Sequence, residues 1–142
     1  MARLLSVAVL CVLCASVARG YLDESALNDE LRELIATLHK TCTEKTGISN
    51  DAVLKTNDGE FPNDDKLKCY MKCILSESGA MDEAGLIDYM AVDGIIPDKL
   101  KAGIKNMFEA CIIKAQDSDL CERAFTFYKC SYEVDAKNYF LI

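Results

Sequence analysis

Six cysteines between residues 42 and 130 constrain the fold of this chain more than any other feature. Their spacing is Cys42-x26-Cys69-x3-Cys73-x37-Cys111-x9-Cys121-x8-Cys130. In a secreted chain an even number of cysteines predicts a disulfide framework, and six cysteines allow fifteen pairings. Cross-links of this kind can compensate for the packing that is lost when a small core encloses a hole.

The first twenty residues predict that the chain is secreted. Arg3 is followed by an uncharged apolar run over residues 4–17, and Ala18-Arg19-Gly20 places small residues at the −3 and −1 positions of a cleavage site. The run is too short to span a bilayer, which favours a cleaved signal peptide over a retained membrane anchor. The chain's other two cysteines leave with it. We expect one extracellular domain over residues 21–142.

The charge of that domain limits its partners. Loss of Arg3 and Arg19 lowers the formal net charge from −7 to −9. An acidic surface of this kind disfavours nucleic acid and anionic membranes as partners. We expect a soluble monomer or weak homodimer.

Apolar residues recur at helical spacing along most of the domain, and no segment alternates with the period of a strand. Asp119 with Glu122 predicts a capping box, and Pro97 fits the first turn of a helix. The pattern predicts an all-α fold of about six short helices. They are predicted over residues 27–38 (capped by Asp23 or Ser25), 50–56, 63–79 (capped by Asn63), 82–92, 97–112 and 119–132.

Helical geometry removes some disulfide pairings. Cys69 and Cys73 lie one turn apart on the same face of the third predicted helix, where their Cβ vectors are nearly parallel and poorly placed for a bond. Cys121 and Cys130 fall on opposite sides of the last predicted helix. Excluding these two bonds leaves ten of the fifteen pairings open.

The order and spacing of the cysteines resemble those of the six-cysteine insect odorant-binding proteins, which include the pheromone-binding and general odorant-binding proteins. The segments LKCYMKCIL and LCERAFTFYKC also resemble that family around its second, third, fifth and sixth cysteines. The resemblance covers essentially the whole domain. It implies helices around an apolar cavity, stapled by the interlocked disulfides Cys42–Cys73, Cys69–Cys121 and Cys111–Cys130.

The same resemblance implies a carrier that binds small hydrophobic molecules, odorants or pheromones, and transports them through aqueous lymph to an olfactory receptor at the membrane. A non-olfactory carrier or scavenger of the same fold, from venom, saliva or the reproductive tract, is the alternative. Acidic side chains inside the cavity would favour a scavenger of amines.

An enzyme is not expected, and neither is a cofactor or a metal. His39 is the only histidine, and the six cysteines are expected to be oxidised, so nucleophile, base and metal ligands are scarce. We expect His39 on the surface at the C-terminus of the first helix, where its charge favours the helix dipole. Histidine protonation then offers little basis for acid-driven release.

Candidate wall residues follow from the resemblance and from their positions on the predicted helices. The principal ones are Leu75, Met90, Phe108, Ala124 and Phe127, with Ile74, Ile87, Ile104 and Ile112 as weaker candidates. Met71, Met90 and Met107 would suit an adaptable lining. Hydroxyls on Tyr70, Tyr89, Tyr128 or Ser131 are candidates for orienting a polar ligand group, and no spacing singles one out.

The chain ends in four large apolar residues, Tyr139-Phe140-Leu141-Ile142, after a polar stretch. Such residues are costly to leave in water. We expect this tail to fold back over one mouth of the cavity, with Phe140 and Ile142 pointing inward as part of the ligand site. The terminal carboxylate would accept hydrogen bonds from nearby tyrosine hydroxyls or backbone N–H groups.

Overall fold

Five α-helices form the part of the chain that the computed structural model describes, which is Ser25 and residues 27–142. They are α1 (Asp29–Thr46), α2 (Asn50–Lys55), α3 (Asp65–Glu77), α4 (Asp98–Ile112) and α5 (Leu120–Val134), with 3₁₀ turns at Thr56–Asp58 and Asp93–Ile95. The predicted signal peptide, residues 1–20, lies outside the described residues. Within the described range no helix is both long and apolar enough to cross a membrane.

Side-chain caps define where the helices begin. Asn28 accepts a hydrogen bond from the N–H of the third residue beyond it at the start of α1, so the predicted caps Asp23 and Ser25 are wrong. At α3 the cap is Asp64, one residue after the predicted Asn63. In both cases the residue chosen is the one whose short side chain reaches a free N–H of the first turn.

The last two helices begin close to their predicted positions. Pro97 occupies the cap position of α4, where its missing N–H is no loss. The Asp119 carboxylate accepts a hydrogen bond from the Glu122 N–H at 2.9 Å, which fixes the first turn of α5.

The helix predicted over residues 82–92 does not form, and a turn replaces it. The Asp82 carboxylate accepts the Leu86 N–H at 2.8 Å, while the Asp82 N–H donates to the Leu86 carbonyl at 3.0 Å. Gly85 has φ +82°, a left-handed conformation that suits glycine. Arg123 donates to the Gly85 carbonyl at 2.9 Å, and a Cβ on this glycine would lie 2.3 Å from Leu120. The turn is therefore held against the start of α5.

Three disulfides join the helices in the pairs that the resemblance implies. They are Cys42–Cys73 between α1 and α3, Cys69–Cys121 between α3 and α5, and Cys111–Cys130 between α4 and α5. Their sequence separations of 31, 52 and 19 residues correspond to roughly 3–4 kcal/mol each in the loop-entropy model. Because α3 and α5 each carry two of these cysteines, they form the centre of the fold.

A nearly buried cation also connects the two central helices. The Lys68 ammonium lies 2.5 Å from the Glu122 carboxylate and 5.7 Å from the centroid of the Phe125 ring. The hydrogen bond to Glu122 raises the pKa of Lys68, so its charge persists in the folded protein. Pairing of this kind is what makes burial of a lysine tolerable.

Candidate ligand cavity

An apolar cavity of about 160 Å³ lies between α1, α3, α4, α5 and the C-terminal tail. None of the described residues that line it has a charged side chain. Its wall consists of Leu31, Leu34, Ile35, Leu38, Ile74, Leu75, Ser78, Ala80, Val92, Ile95, Ile96, Pro97, Leu100, Ile104, Met107, Phe108, Phe127, Tyr128, Ser131, Asn138, Tyr139, Phe140 and Ile142.

Five of the seven residues proposed for the ligand site line this cavity. They are Leu75, Phe108, Phe127, Phe140 and Ile142. The Phe108 and Phe127 rings meet edge to face with centroids 4.9 Å apart, a favoured aromatic arrangement that fixes both side chains. Their contact with a ligand stays a prediction.

The placement of Met90 and Ala124 in the wall is wrong. Met90 is 71% exposed, because it lies in the loop that replaces the predicted fourth helix. Ala124 is fully buried in the core but does not reach the cavity, whose α5 wall begins three residues later at Phe127. Among the weaker candidates, Ile74 and Ile104 line the cavity, whereas Ile87 and Ile112 do not.

Two segments contribute wall residues that sequence reasoning did not assign to the site. The apolar stripe of α1, from Leu31 to Leu38, predicts a buried face but not that this face borders a void. The segment from Val92 to Pro97 lines the cavity through its apolar side chains at the entry to α4. An irregular segment has no periodicity, so only its apolar composition marks it as buried.

The four candidate hydroxyls lie in different surroundings. Those of Tyr128 and Ser131 belong to residues that line the cavity, whereas Tyr70 and Tyr89 do not line it. Tyr89 donates to the Asp93 carboxylate at 2.5 Å, and this bond together with burial raises the pKa of Tyr89 to about 12. The same bond lowers the pKa of Asp93. This bond holds the loop beside the 3₁₀ turn that leads into α4.

The tail packs across the helices through both apolar and polar contacts. Tyr139 and Leu141 are buried at 1% and 3% exposure. The Asn57 carboxamide donates to the Leu141 carbonyl at 3.1 Å and accepts from its N–H at 2.8 Å. One residue further, Tyr70 donates its hydroxyl hydrogen to an oxygen of the terminal Ile142 carboxylate. The tail is therefore anchored by main-chain hydrogen bonds as well as by its side chains.

His39 lies in the interior of α1 and not at its end, so the predicted surface position is wrong. Its Nδ1 is 2.8 Å from the Tyr70 hydroxyl, and its ring meets the Tyr70 ring edge on. Because the carboxylate of Ile142 can only accept, Tyr70 uses its one hydrogen there, and its oxygen accepts from His39. Nδ1 must therefore carry a hydrogen in this arrangement.

The chain is similar to known proteins in both sequence and structure. A sequence model of the PBP/GOBP family matches residues 24–134. General odorant-binding protein 72 of Anopheles gambiae is 28% identical over 118 residues, which cover 80% of this chain and 97% of that protein.

The similar solved structures are also insect odorant-binding proteins. Odorant binding protein 4 of Chrysopa pallens has a TM-score of 0.72 at 28% identity, covering 86% of this chain and all of that one. Odorant binding protein 7 of Anopheles gambiae, with four disulfide bridges and in complex with an azo compound, has a TM-score of 0.67 at 26% identity, covering 81% and 98%. The chain therefore belongs to the PBP/GOBP family of insect odorant-binding proteins, which are carriers of small ligands and not enzymes.

Proposed function

We propose that this protein is secreted after removal of residues 1–20 and carries small neutral hydrophobic molecules, odorants or pheromones, in the cavity between its helices. It transports them through aqueous lymph and releases them near a membrane receptor. The observation that carries the proposal is the chemistry of the wall, which combines apolar side chains with a few hydroxyl and amide groups.

The same observation bears on the non-olfactory alternative. A scavenger of amines needs a carboxylate to pair with the ligand's ammonium group, because burying an unpaired charge is very unfavourable. Among the described wall residues there is no acidic side chain, and the terminal carboxylate of Ile142 already accepts the Tyr70 hydroxyl hydrogen. A neutral ligand is therefore favoured over a cationic one, whatever the tissue.

The size of the cavity indicates the size of the ligand. An engineered apolar cavity of about 150 Å³ in another protein is large enough for benzene. A ring-sized ligand that buries roughly 200 Å² of apolar surface gains about 5 kcal/mol, which corresponds to a Kd of about 200 μM. Longer molecules gain more but must displace part of the wall.

The tail is the part of the wall best suited to move. It is the end of the chain, follows the last helix and contributes Asn138, Tyr139, Phe140 and Ile142 to the lining. Segments held by a few contacts open at lower free energy than helices that are cross-linked by disulfides. We therefore assign residues 139–142 the role of a lid through which ligand enters and leaves.

A matched pair of ligands tests the proposal. Cumene and the 1-phenylethylammonium ion each have nine non-hydrogen atoms and differ in charge. Isothermal titration calorimetry of the oxidised protein should detect cumene binding with a Kd of about 200 μM or lower and no binding of the cation. Failure of cumene and of other neutral volatiles to bind would refute the carrier proposal, and tighter binding of the cation would establish the amine scavenger instead.

A further inference from the structure

Three of the four candidate hydroxyls already have an acceptor inside the protein. Ser131 donates to the Phe127 carbonyl at 2.8 Å, and Tyr89 donates to the Asp93 carboxylate at 2.5 Å. Tyr70 donates to the terminal carboxylate of Ile142. A hydroxyl has one hydrogen to give, so donation to a ligand by any of these would first break an internal bond.

The hydroxyl of Tyr128, the fourth candidate, has no such acceptor in the described part of the protein. Tyr128 lines the cavity, and its hydroxyl makes no hydrogen bond with any described residue. Its ring is held edge on against Phe127 at 5.7 Å and against Tyr139 at 6.3 Å between centroids. Burial raises the pKa of Tyr128 well above its ordinary value, with smaller contributions from the Tyr139 and Tyr70 phenols. The hydroxyl therefore remains a protonated donor at any physiological pH.

We infer that the Tyr128 hydroxyl is the specificity-determining group of this cavity, and that it selects neutral ligands with a hydrogen-bond acceptor, such as ketones, aldehydes and esters. The inference rests on the proposed carrier function and deepens it. A pure hydrocarbon leaves the donor unpaired in an apolar site, whereas a carbonyl oxygen pairs it. The hydrogen bond to the carbonyl oxygen should lower the Kd of such a ligand about three- to tenfold relative to a hydrocarbon of the same size.

Of the other polar side chains in the wall, Ser78 donates to the Leu75 carbonyl at 3.1 Å and Asn138 to the Asp135 carboxylate at 2.6 Å, which leaves Tyr139 as the competing hydroxyl. Its hydroxyl is buried and without a hydrogen bond of acceptable geometry among the described residues. Although Tyr139 lines the cavity beside Tyr128, its ring also lies against Phe61 and Tyr132, neither of which lines the cavity. The polar neighbour of its hydroxyl is Thr56, which already donates to the Val53 carbonyl at 2.7 Å. The Tyr139 hydroxyl thus belongs to the packing beneath the tail and not to the ligand site.

The test compares acetophenone with cumene, which have nine non-hydrogen atoms each and differ by a carbonyl oxygen in place of a methyl group. Calorimetric Kd values are measured for the full oxidised chain, for Tyr128→Phe and for the control Tyr132→Phe, which removes a hydroxyl from the same helix outside the cavity. Wild type and control should prefer acetophenone about three- to tenfold. Tyr128→Phe should bind cumene as before and lose the preference.

A second readout reports on the bond itself. The ¹³C signal of carbonyl-labelled acetophenone should shift downfield in wild type, as expected for a hydrogen-bonded carbonyl, and return in Tyr128→Phe. The inference is overturned if Tyr128→Phe keeps the preference, or if Tyr139→Phe abolishes it while Tyr128→Phe does not. Equal binding of the two ligands by wild type also overturns it and leaves the carrier function intact. Absence of binding by either ligand refutes the carrier function first.

Discussion

The Asn57 carboxamide offers a direct perturbation of the proposed lid. It lies in the turn after α2 and makes two hydrogen bonds with the main chain of Leu141, 84 residues later. Asn57→Ala removes both bonds without changing a residue of the cavity wall. If residues 139–142 are a lid, ligand should leave this variant faster than it leaves wild type.

The expected increase in the exit rate follows from the loss of the two hydrogen bonds. A hydrogen bond contributes about 0.5–1.5 kcal/mol net, so their loss weakens the closed state by roughly 1–3 kcal/mol. With 1.4 kcal/mol per factor of ten, the open population rises by about 5- to 150-fold. Burial of Tyr139 and Leu141 still holds the tail, and water can reach part of the freed main chain. We therefore expect exit to be about tenfold faster.

Exit rates can be measured by ¹⁹F NMR line shapes of 4-fluoroacetophenone titrated into the protein. Asn57→Asp should give an intermediate rate, because it keeps an acceptor for the Leu141 N–H but loses the donor to its carbonyl. Asn106→Ala, at an exposed position on α4, is the matched control and should not change the rate. Circular dichroism and disulfide mapping establish that each variant retains the fold.

Residues 139–142 are not a lid if Asn57→Ala has wild-type exit and entry rates while its helical content and disulfides are intact. Ligand would then pass between helices, and the tail would be a fixed part of the wall. A change in Kd with an unchanged exit rate would also exclude a lid, because releasing a gate affects both rates.

Removing the α3–α5 disulfide by paired Cys→Ala substitution should lower the free energy of unfolding more than removing the α4–α5 disulfide, by about 4 against about 3 kcal/mol, in denaturant titrations. Because Tyr89 lowers the pKa of Asp93, its bond stabilises the fold above the unfolded carboxyl pKa and this stabilisation disappears as pH falls. The difference in melting temperature between wild type and Tyr89→Phe should accordingly vanish at acid pH. His39→Ala should speed ligand exit in the same ¹⁹F measurement, because it removes the Nδ1 donor that holds the Tyr70 hydroxyl beside Ile142.

The helices with strong periodicity and good caps could be predicted from the sequence. The stripe of α1 and the Asp119 cap of α5 are local features, so a short window of sequence contains the information that determines them. The disulfide pairs could not be derived in this way, because spacing left ten pairings open. Their prediction depended on the resemblance to a family.

The helix predicted over residues 82–92 does not form, because contacts that are distant in sequence decide the conformation of this segment. Asp82 and Gly85 are compatible with a helix start and with a turn, and the two alternatives differ little in local free energy. Contacts of Gly85 with Leu120 and Arg123, which are distant in sequence, favour the turn. The same error led to the wrong prediction for Met90, which was expected on a helix face beside the cavity and lies in an exposed loop.

The position of the cavity relative to the disulfides explains how a small domain can tolerate a void. Along α1 and α4 the wall residues precede Cys42 and Cys111, whereas along α3 and α5 they follow Cys73 and Cys121. Only Cys130 lies within a lining stretch, next to Ser131 on the chain. On α3 and α5 the cavity reaches residues beside a cross-link, with Ile74 next to Cys73 and Ser131 next to Cys130, whereas on α1 and α4 it borders parts held by packing. Adaptation to a ligand should therefore concentrate in those parts and in the tail, and cost little in the cross-linked core.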